Sequence, residues 1–290
     1  MASEGKRKFA SIHPFKIAYR QWGEHGKPVV LLHGIPMNSS LWQKTGEALS
    51  ENGYKVFAPE LLGLGYTEAP VEADHSLRGQ AEMMALFIKN VVREACILVG
   101  HDMGGGIAQI MLTEFADMIE KCVLTNCVAF DAWPVEGIKT LSEFSHREDS
   151  FEKISDMFIA GFLSKGLPAG VSDKSVISLE LVKDILGGLT HTAQSKRHFI
   201  EFLRAIDNSH TQKAAQKLAG LEHPVLIVWA KDDLFQPLTI GERLNGTIPE
   251  SSLRTIQGGH FHPLENSNLA ELIIQYGLKT QLSGKDGNVL

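Results

Sequence analysis

Apolar positions along the chain fall into two patterns. Residues 28–33, 54–59, 95–100, 121–128 and 224–230 are nearly continuous apolar runs of strand length, as expected of strands covered on both faces of a sheet. Between them, residues 40–52, 77–92 and 104–115 carry apolar side chains at helical spacing, and helical spacing resumes from Leu238 and again over 264–279, with a short strand at 252–256 between. Two β-like stretches open the chain, at 8–13 and 15–22, and the tight His13-Pro14 step between them predicts a hairpin. Strands alternating with helices predict an α/β fold built on a mostly parallel, twisted sheet flanked by helices.

The alternation stops near Asp131. Residues 132–218 show helical patterns with no convincing strand, and phenylalanines such as Phe144, Phe158, Phe162, Phe199 and Phe202 are scattered through them. This block reads as a helical cap inserted between two halves of a core domain, residues 1–131 and 219–290. An insertion at that point lies over the carboxyl ends of the strands, where α/β proteins place their sites. Residues 284–290 read as a frayed tail.

Composition narrows the function classes. The 290 residues are 43% hydrophobic and 21% charged, with 28 Lys and Arg against 34 Asp and Glu and a formal net charge of −6. An acidic surface disfavours nucleic acid and anionic membranes as partners. The three cysteines, Cys96, Cys122 and Cys127, form neither a disulfide framework nor a metal-type pair. The first nine residues are polar and basic with no apolar core behind them, and no run approaches the ~20 residues of a membrane span. The expectation is a cytoplasmic protein, monomer or homodimer, with no metal and no cofactor.

The most informative stretch is Val99-Gly100-His101-Asp102-Met103-Gly104-Gly105, between a predicted strand and a predicted helix. Small residues two before and two after a central residue suit a sharp turn that exposes that residue's side chain. Here the residue is Asp102; the plain alternative is that Asp102 only caps the helix that follows. Two further loops follow predicted strands, Trp229-Ala230-Lys231-Asp232-Asp233-Leu234-Phe235-Gln236-Pro237 and Gly258-Gly259-His260-Phe261-His262-Pro263. Together they give the order Asp102, acid, His260, the nucleophile–acid–histidine order of α/β-hydrolases.

With these motifs the chain resembles the α/β-hydrolase superfamily, in the branch with an aspartate nucleophile that includes haloalkane dehalogenases, fluoroacetate dehalogenases and epoxide hydrolases. His33-Gly34-Ile35-Pro36 resembles the branch's oxyanion loop, and Pro59-Glu60-Leu61-Leu62-Gly63-Leu64-Gly65 resembles its Pro-Asp-Leu-x-Gly-x-Gly loop with Glu60 in place of Asp. The resemblance implies Asp233 as triad acid and His260 as base, with Asp131, after the preceding strand, as the alternative acid. It also implies an oxyanion hole from the backbone N–H groups of Ile35 and Met103, a loop-ordering role for His33, and a cis peptide before Pro36.

An aspartate suits in-line displacement at saturated carbon better than attack at acyl carbon, where it would form an anhydride. The product would be an alkyl-enzyme ester, hydrolysed by water that His260 activates. The leaving group, halide or epoxide oxygen, is not defined by the residues. Met103 stands where haloalkane dehalogenases resemble one another in a Trp and fluoroacetate dehalogenases in an Arg. Ile35 stands where a halide-binding Asn would be, and Tyr19, Tyr54, Tyr66 and Tyr276 all fall outside the cap. Trp133, with Phe130 and His33, is the candidate substrate contact, though Trp133 could equally pack the cap onto the core. The apolar cap predicts a small, largely apolar substrate. Two other classes stay open: hydrolysis of esters, lactones or C–C bonds, and a non-catalytic binding protein on the same fold.

Overall fold

The computed structural model describes residues 5–265 and 268–278; the tail at 284–290 and the end of the helix expected over 264–279 lie outside the described residues. The predicted hairpin is present, with β1 (Arg7–Ile12) and β2 (Phe15–Trp22) paired antiparallel. β3 (Pro28–Leu32), β4 (Lys55–Pro59), β5 (Cys96–Asp102), β6 (Ile119–Cys127), β7 (Val225–Ala230) and β8 (Ser251–Ile256) follow. Among the described residues these eight strands form one sheet in the order β1-β2-β4-β3-β5-β6-β7-β8, parallel from β4 onward. β3, β5 and β7 are buried along their whole length, which is why they read as unbroken apolar runs.

Helices cover both faces. α1 (Gln43–Glu51) is preceded by a 3-10 turn at Ser39–Trp42, so the stretch expected to be one helix over 40–52 is two. α2 (Leu77–Phe87) runs on into a π turn at Ile88–Val92. α3 (Met103–Glu114) follows β5 without a linker and is buried through Leu112. Between β6 and β7 come α4 (Glu136–Ser145), α5 (Ser150–Gly161), the short α6 (Leu167–Ala169), α7 (Leu179–Thr190), α8 (Ala193–Arg204) and α9 (Ser209–Leu218), with no strand among the described residues of that stretch. A π turn, Phe162–Gly166, joins α5 to α6. α10 (Leu238–Thr247), α11 (His262–Glu265) and α12 (Asn268–Leu278) complete the chain.

Glu60 has a structural explanation. Its fully buried carboxylate accepts from Arg7 Nε at 2.8 Å, Ser39 Oγ at 2.5 Å and the Tyr66 N–H at 2.7 Å. Arg7 also reaches Asp184 of α7 at 2.9 Å, and Arg20 reaches the same carboxylate at 3.1 Å. Glu60 therefore knits the loop after β4 together and, through Arg7, ties the first strand to the inserted helices, and its own buried charge is fully partnered.

The β5–α3 turn dictates two glycines. A Cβ on Gly100 would lie 2.5 Å from the Gly104 carbonyl oxygen, and one on Gly104 would lie 2.6 Å from the His33 carbonyl oxygen. Both neighbours are backbone and cannot swing aside. Gly104→Ala is expected to cost about 1–3 kcal/mol by overpacking and to lower the thermal midpoint, whereas Gly246→Ala in α10, where a Cβ meets nothing within 4 Å, should be neutral or slightly stabilising. Calorimetry on the two variants checks the contrast.

Candidate active site

The turn places Asp102 in an uncommon backbone conformation, φ 52° and ψ −122°, which costs of order 1–3 kcal/mol for a residue with a side chain. The side chain makes no capping bond to α3, so the plain helix-cap reading fails. Instead the carboxylate points back over β3. The Ile35 N–H donates to Oδ1 at 2.9 Å, and the Met103 N–H lies near enough to favour the charged carboxylate. A side chain on Gly34 would collide with it, so glycine lets the oxyanion-loop backbone approach. The peptide before Pro36 is cis.

His260 Nε2 lies 3.6 Å from the second Asp102 oxygen, and both residues are buried. On its other side, His260 Nδ1–H donates to Asp233 Oδ2 at 2.8 Å. Asp233 is itself fixed by the N–H groups of Phe235 at 2.7 Å and Gln236 at 2.9 Å on Oδ1, and by Asn126 Nδ2 at 2.7 Å on Oδ2. The imidazole is thus held with its proton on Nδ1 and its Nε2 lone pair turned toward Asp102. A second histidine supports the arrangement from behind: His101 Nε2–H donates to the His260 carbonyl at 2.8 Å.

Burial and charge compete at each member. Burial raises the Asp102 carboxyl, and His260 with the Met103 and Ile35 N–H groups offsets only part of that, leaving it above the ordinary carboxylate range. Burial alone would lower the His260 imidazole, but the Asp233 and Asp102 carboxylates outweigh it and hold it raised. Burial also acts to raise Asp233, yet His260 and the Gln236 and Phe235 N–H groups leave it lowered. The neighbouring His33, pushed down to about 4, and His262, pushed down to about 3, are kept neutral by burial.

Asp102 and His260 open onto a cavity of about 570 Å³ between the sheet and the inserted helices. Its walls are mainly apolar and include Ile138, Leu141, Phe158 and Phe162 from α4, α5 and the π turn, with Val128 and Phe235 below. The cap phenylalanines divide: Phe158 and Phe162 face the cavity, whereas Phe199 and Phe202 are buried among the helices.

Several sequence expectations need correction. Asp131 does not meet His260: it is exposed and pairs with Arg243 at 3.0 Å, so the alternative acid is removed. Phe130 is not in the cavity wall as described; a positive φ of 56° turns it away, and the Arg243 guanidinium covers its ring at 3.9 Å. His33 does not line the cavity either, because Nε2 accepts from the Leu61 N–H at 3.0 Å and Nδ1–H donates to Gly34 O at 3.1 Å, an ordering role. Trp133 does line the cavity, but its indole N–H is committed to Thr211 Oγ1 at 2.8 Å and offers a ligand only its ring. His262 packs under the site, with Nε2 2.9 Å from Thr125 Oγ1.

Sequence reasoning passed over Phe235, Gln236 and Lys165, which line the cavity. The first two stand two and three residues past Asp233, and that spacing was the available signal; Lys165 carries none. Among the described residues no cluster of His, Cys, Asp and Glu has the makings of a metal site, and no helix is long and apolar enough to cross a membrane.

Residues 27–267 match a family model described as alpha/beta hydrolase fold. The chain is 24% identical over 261 residues to a 2-hydroxy-6-oxononadienedioate/2-hydroxy-6-oxononatrienedioate hydrolase of Burkholderia vietnamiensis, covering 87% of each chain. Among solved structures it is similar to an alpha/beta hydrolase fold protein from Burkholderia ambifaria, with TM-score 0.77 and 22% identity over 95% of this chain and 97% of that one. It is similar also to a haloalkane dehalogenase from Bradyrhizobium elkani, with TM-score 0.77 and 17% identity over 94% and 99%. At these identities the structural likenesses speak to the fold alone.

The carboxylate partners make a titration testable. Replacing Asp233 with Asn removes a charge that raises His260, so the imidazole should titrate at lower pH than in the parent protein, while Asp131→Asn should leave it unmoved. NMR of the histidine ring protons reads both; an unchanged His260 in the Asp233 variant would contradict the coupling.

Proposed function

The chain belongs to the α/β-hydrolase fold family, and from that premise we propose that it is a hydrolase whose nucleophile is Asp102, acting at saturated carbon through an alkyl-enzyme ester. One observation carries the reading. Asp102 sits in a strained turn with one carboxylate oxygen held by main-chain N–H and the other facing an imidazole that is oriented by Asp233.

Each group has a distinct task. The free Oδ2 attacks a substrate carbon in line with its leaving group, forming the ester C–O bond as the bond to the leaving group breaks and the departing group takes the electron pair. Oδ1, bonded to Ile35, becomes the ester carbonyl oxygen. His260 Nε2 then takes a proton from a water that attacks Cγ of Asp102. The negative charge that develops on Oδ1 meets the Ile35 N–H, already bonded to that oxygen, with the Met103 N–H as the second donor. Collapse expels the product alkoxide, which takes the proton from His260 and leaves as an alcohol, and loss of the water's second proton to solvent restores the carboxylate, now carrying one oxygen from water. Asp233 stabilises the imidazolium between the two transfers. Residues 132–218 act as a cap that shapes the apolar cavity and limits water to the hydrolytic molecule.

The electrostatics suit this order. Asp102 must be ionised to attack, and its charge is one of the influences that hold His260 raised. Esterification removes that charge, so the imidazole shifts toward its neutral form at the step that needs a base.

A second reading has the names of relatives behind it, since a similar protein is called a 2-hydroxy-6-oxononadienedioate hydrolase. Asp102 would then serve without forming an alkyl ester. A carboxylate attacking acyl carbon yields an anhydride, which favours the displacement reading.

The test is a His260→Gln variant incubated with a panel of small alkyl halides and epoxides. Ester formation needs no base and its hydrolysis does, so an alkyl mass increment should accumulate on the peptide containing Asp102, and should vanish when Asp102→Ala is added. No increment from any member of the panel would overturn the reading. In the parent enzyme, hydrolysis of the ester should slow as pH falls and His260 becomes protonated, so rapid-quench mass spectrometry should find more adduct under mildly acidic conditions than at neutral pH.

A further inference from the structure

A displacement needs something to receive the departing group, and the cavity offers few donors. Trp133 gives its N–H to Thr211, and Thr140 Oγ1 donates to the Glu136 carbonyl at 3.0 Å. His260 carries its proton on Nδ1, toward Asp233. Among the described residues lining the cavity, the side-chain donors left are Lys165 and Gln236. Lys165 is exposed, and a long ammonium at a rim turns to water.

Gln236 differs in kind. It is 3% exposed, and its Oε1 is sealed from solvent with no hydrogen-bond partner. Among the described residues the amide nitrogen has no acceptor, which makes it the end left for a ligand. A buried, unpartnered carboxamide is costly in a wall otherwise built of apolar side chains, and calls for a reason. Nor is its position slack: the Gln236 N–H donates to Asp233 Oδ1 at 2.9 Å and its carbonyl accepts from the Trp229 indole at 2.8 Å. The carboxylate that orients His260 therefore also fixes the backbone that carries this side chain.

We propose that the Gln236 amide N–H receives the leaving group, and that the leaving group is a halide, so that the substrates are small apolar alkyl halides and not epoxides. The proposal rests on the reading of Asp102 as nucleophile and goes further by assigning the substrate class. As Asp102 Oδ2 bonds to carbon, the carbon–halogen bond breaks and the halide departs with the electron pair as a stable anion. It needs a hydrogen bond and no proton, which is what a carboxamide supplies. Opening an epoxide releases a strongly basic alkoxide that must be protonated. A carboxamide cannot do that, and Tyr19, Tyr54, Tyr66 and Tyr276 all lie away from the cavity.

Alkylation of Asp102 in the His260→Gln background, timed by mass spectrometry with matched alkyl chloride, bromide, iodide and epoxide, tests this. Adding Gln236→Leu should slow alkylation at least tenfold and more for chloride than for iodide, since the poorer leaving group depends more on its donor. Gln236→Glu, of the same shape but repelling an anion, should slow it at least as much. Lys139→Met, a lysine outside the cavity wall, should leave the rates unchanged, and the epoxide should give no adduct. A Gln236→Leu rate equal to the parent's, a loss that appears in Lys165→Met instead, or ready alkylation by the epoxide would overturn the proposal. Crystals soaked in sodium bromide give a readout independent of alkylation. Anomalous density is expected beside Gln236 and should be lost in Gln236→Leu; bromide found only elsewhere would also overturn the proposal. Should no halide alkylate Asp102 while bromide still binds at Gln236, the nucleophile reading fails and the anion site stands.

Discussion

Everything in the site depends on a carboxylate held where water would otherwise hold it. Asp102 is buried, and burial acts against its charge. The Ile35 and Met103 N–H groups and the His260 imidazole replace the lost hydration on its two oxygens. That replacement is possible only because β5 turns into α3 with no intervening residue, forcing Asp102 to a positive φ. Gly34, Gly100 and Gly104 are the residues that let three backbone segments meet there. The strain of the turn is stored by the sheet around it, whose central strands are buried throughout.

The same logic extends outward from Asp102. Asp233 is bonded by two N–H groups of its own loop and by Asn126, so it orients His260 without being free to move toward Asp102. One of those N–H groups belongs to Gln236, whose side chain lines the cavity. Imidazole orientation and the polar point in the apolar wall are therefore properties of a single turn after β7. Opposite it, the inserted helices supply ring and aliphatic surface, and the Arg7, Arg20 and Asp184 pairs tie α7 to the hairpin. The outcome is a site whose charges are concentrated on the strand side and whose shape is set from the helix side.

Much of this was legible in the chain. Continuous apolar runs at strand length identified the sheet, because a parallel sheet is covered on both faces, and the loss of strand patterns after Asp131 marked the inserted helices. Asp102, Asp233 and His260 could be picked out since each follows the carboxyl end of a strand, where the fold converges. Side-chain direction beyond a strand end was not legible. Phe130 and Trp133 follow β6 closely, yet a positive φ sends one under Arg243 and a partner 78 residues away takes the indole N–H of the other. The acid-loop spacing favoured Asp233 and left Asp131 as the alternative; in the structure Asp233 meets the histidine and Asp131 is turned out to Arg243. His33 looked like a pocket residue because it borders the oxyanion loop; its ring instead bridges Gly34 to Leu61. The spacing from Asp233 could have placed Gln236 beside the site, but that its buried amide lacks a partner is a property of three-dimensional packing.

The fate of the water oxygen tests the central claim most directly. A single turnover of a hydrolysed substrate by excess enzyme in ¹⁸O-water distinguishes attack on an ester from attack on the substrate itself. If Asp102 forms the ester, the first alcohol released carries an unlabelled oxygen taken from the carboxylate, and ¹⁸O appears in the peptide containing Asp102. Labelled alcohol together with an unlabelled Asp102 would mean that water strikes the substrate directly, and the account would be contradicted.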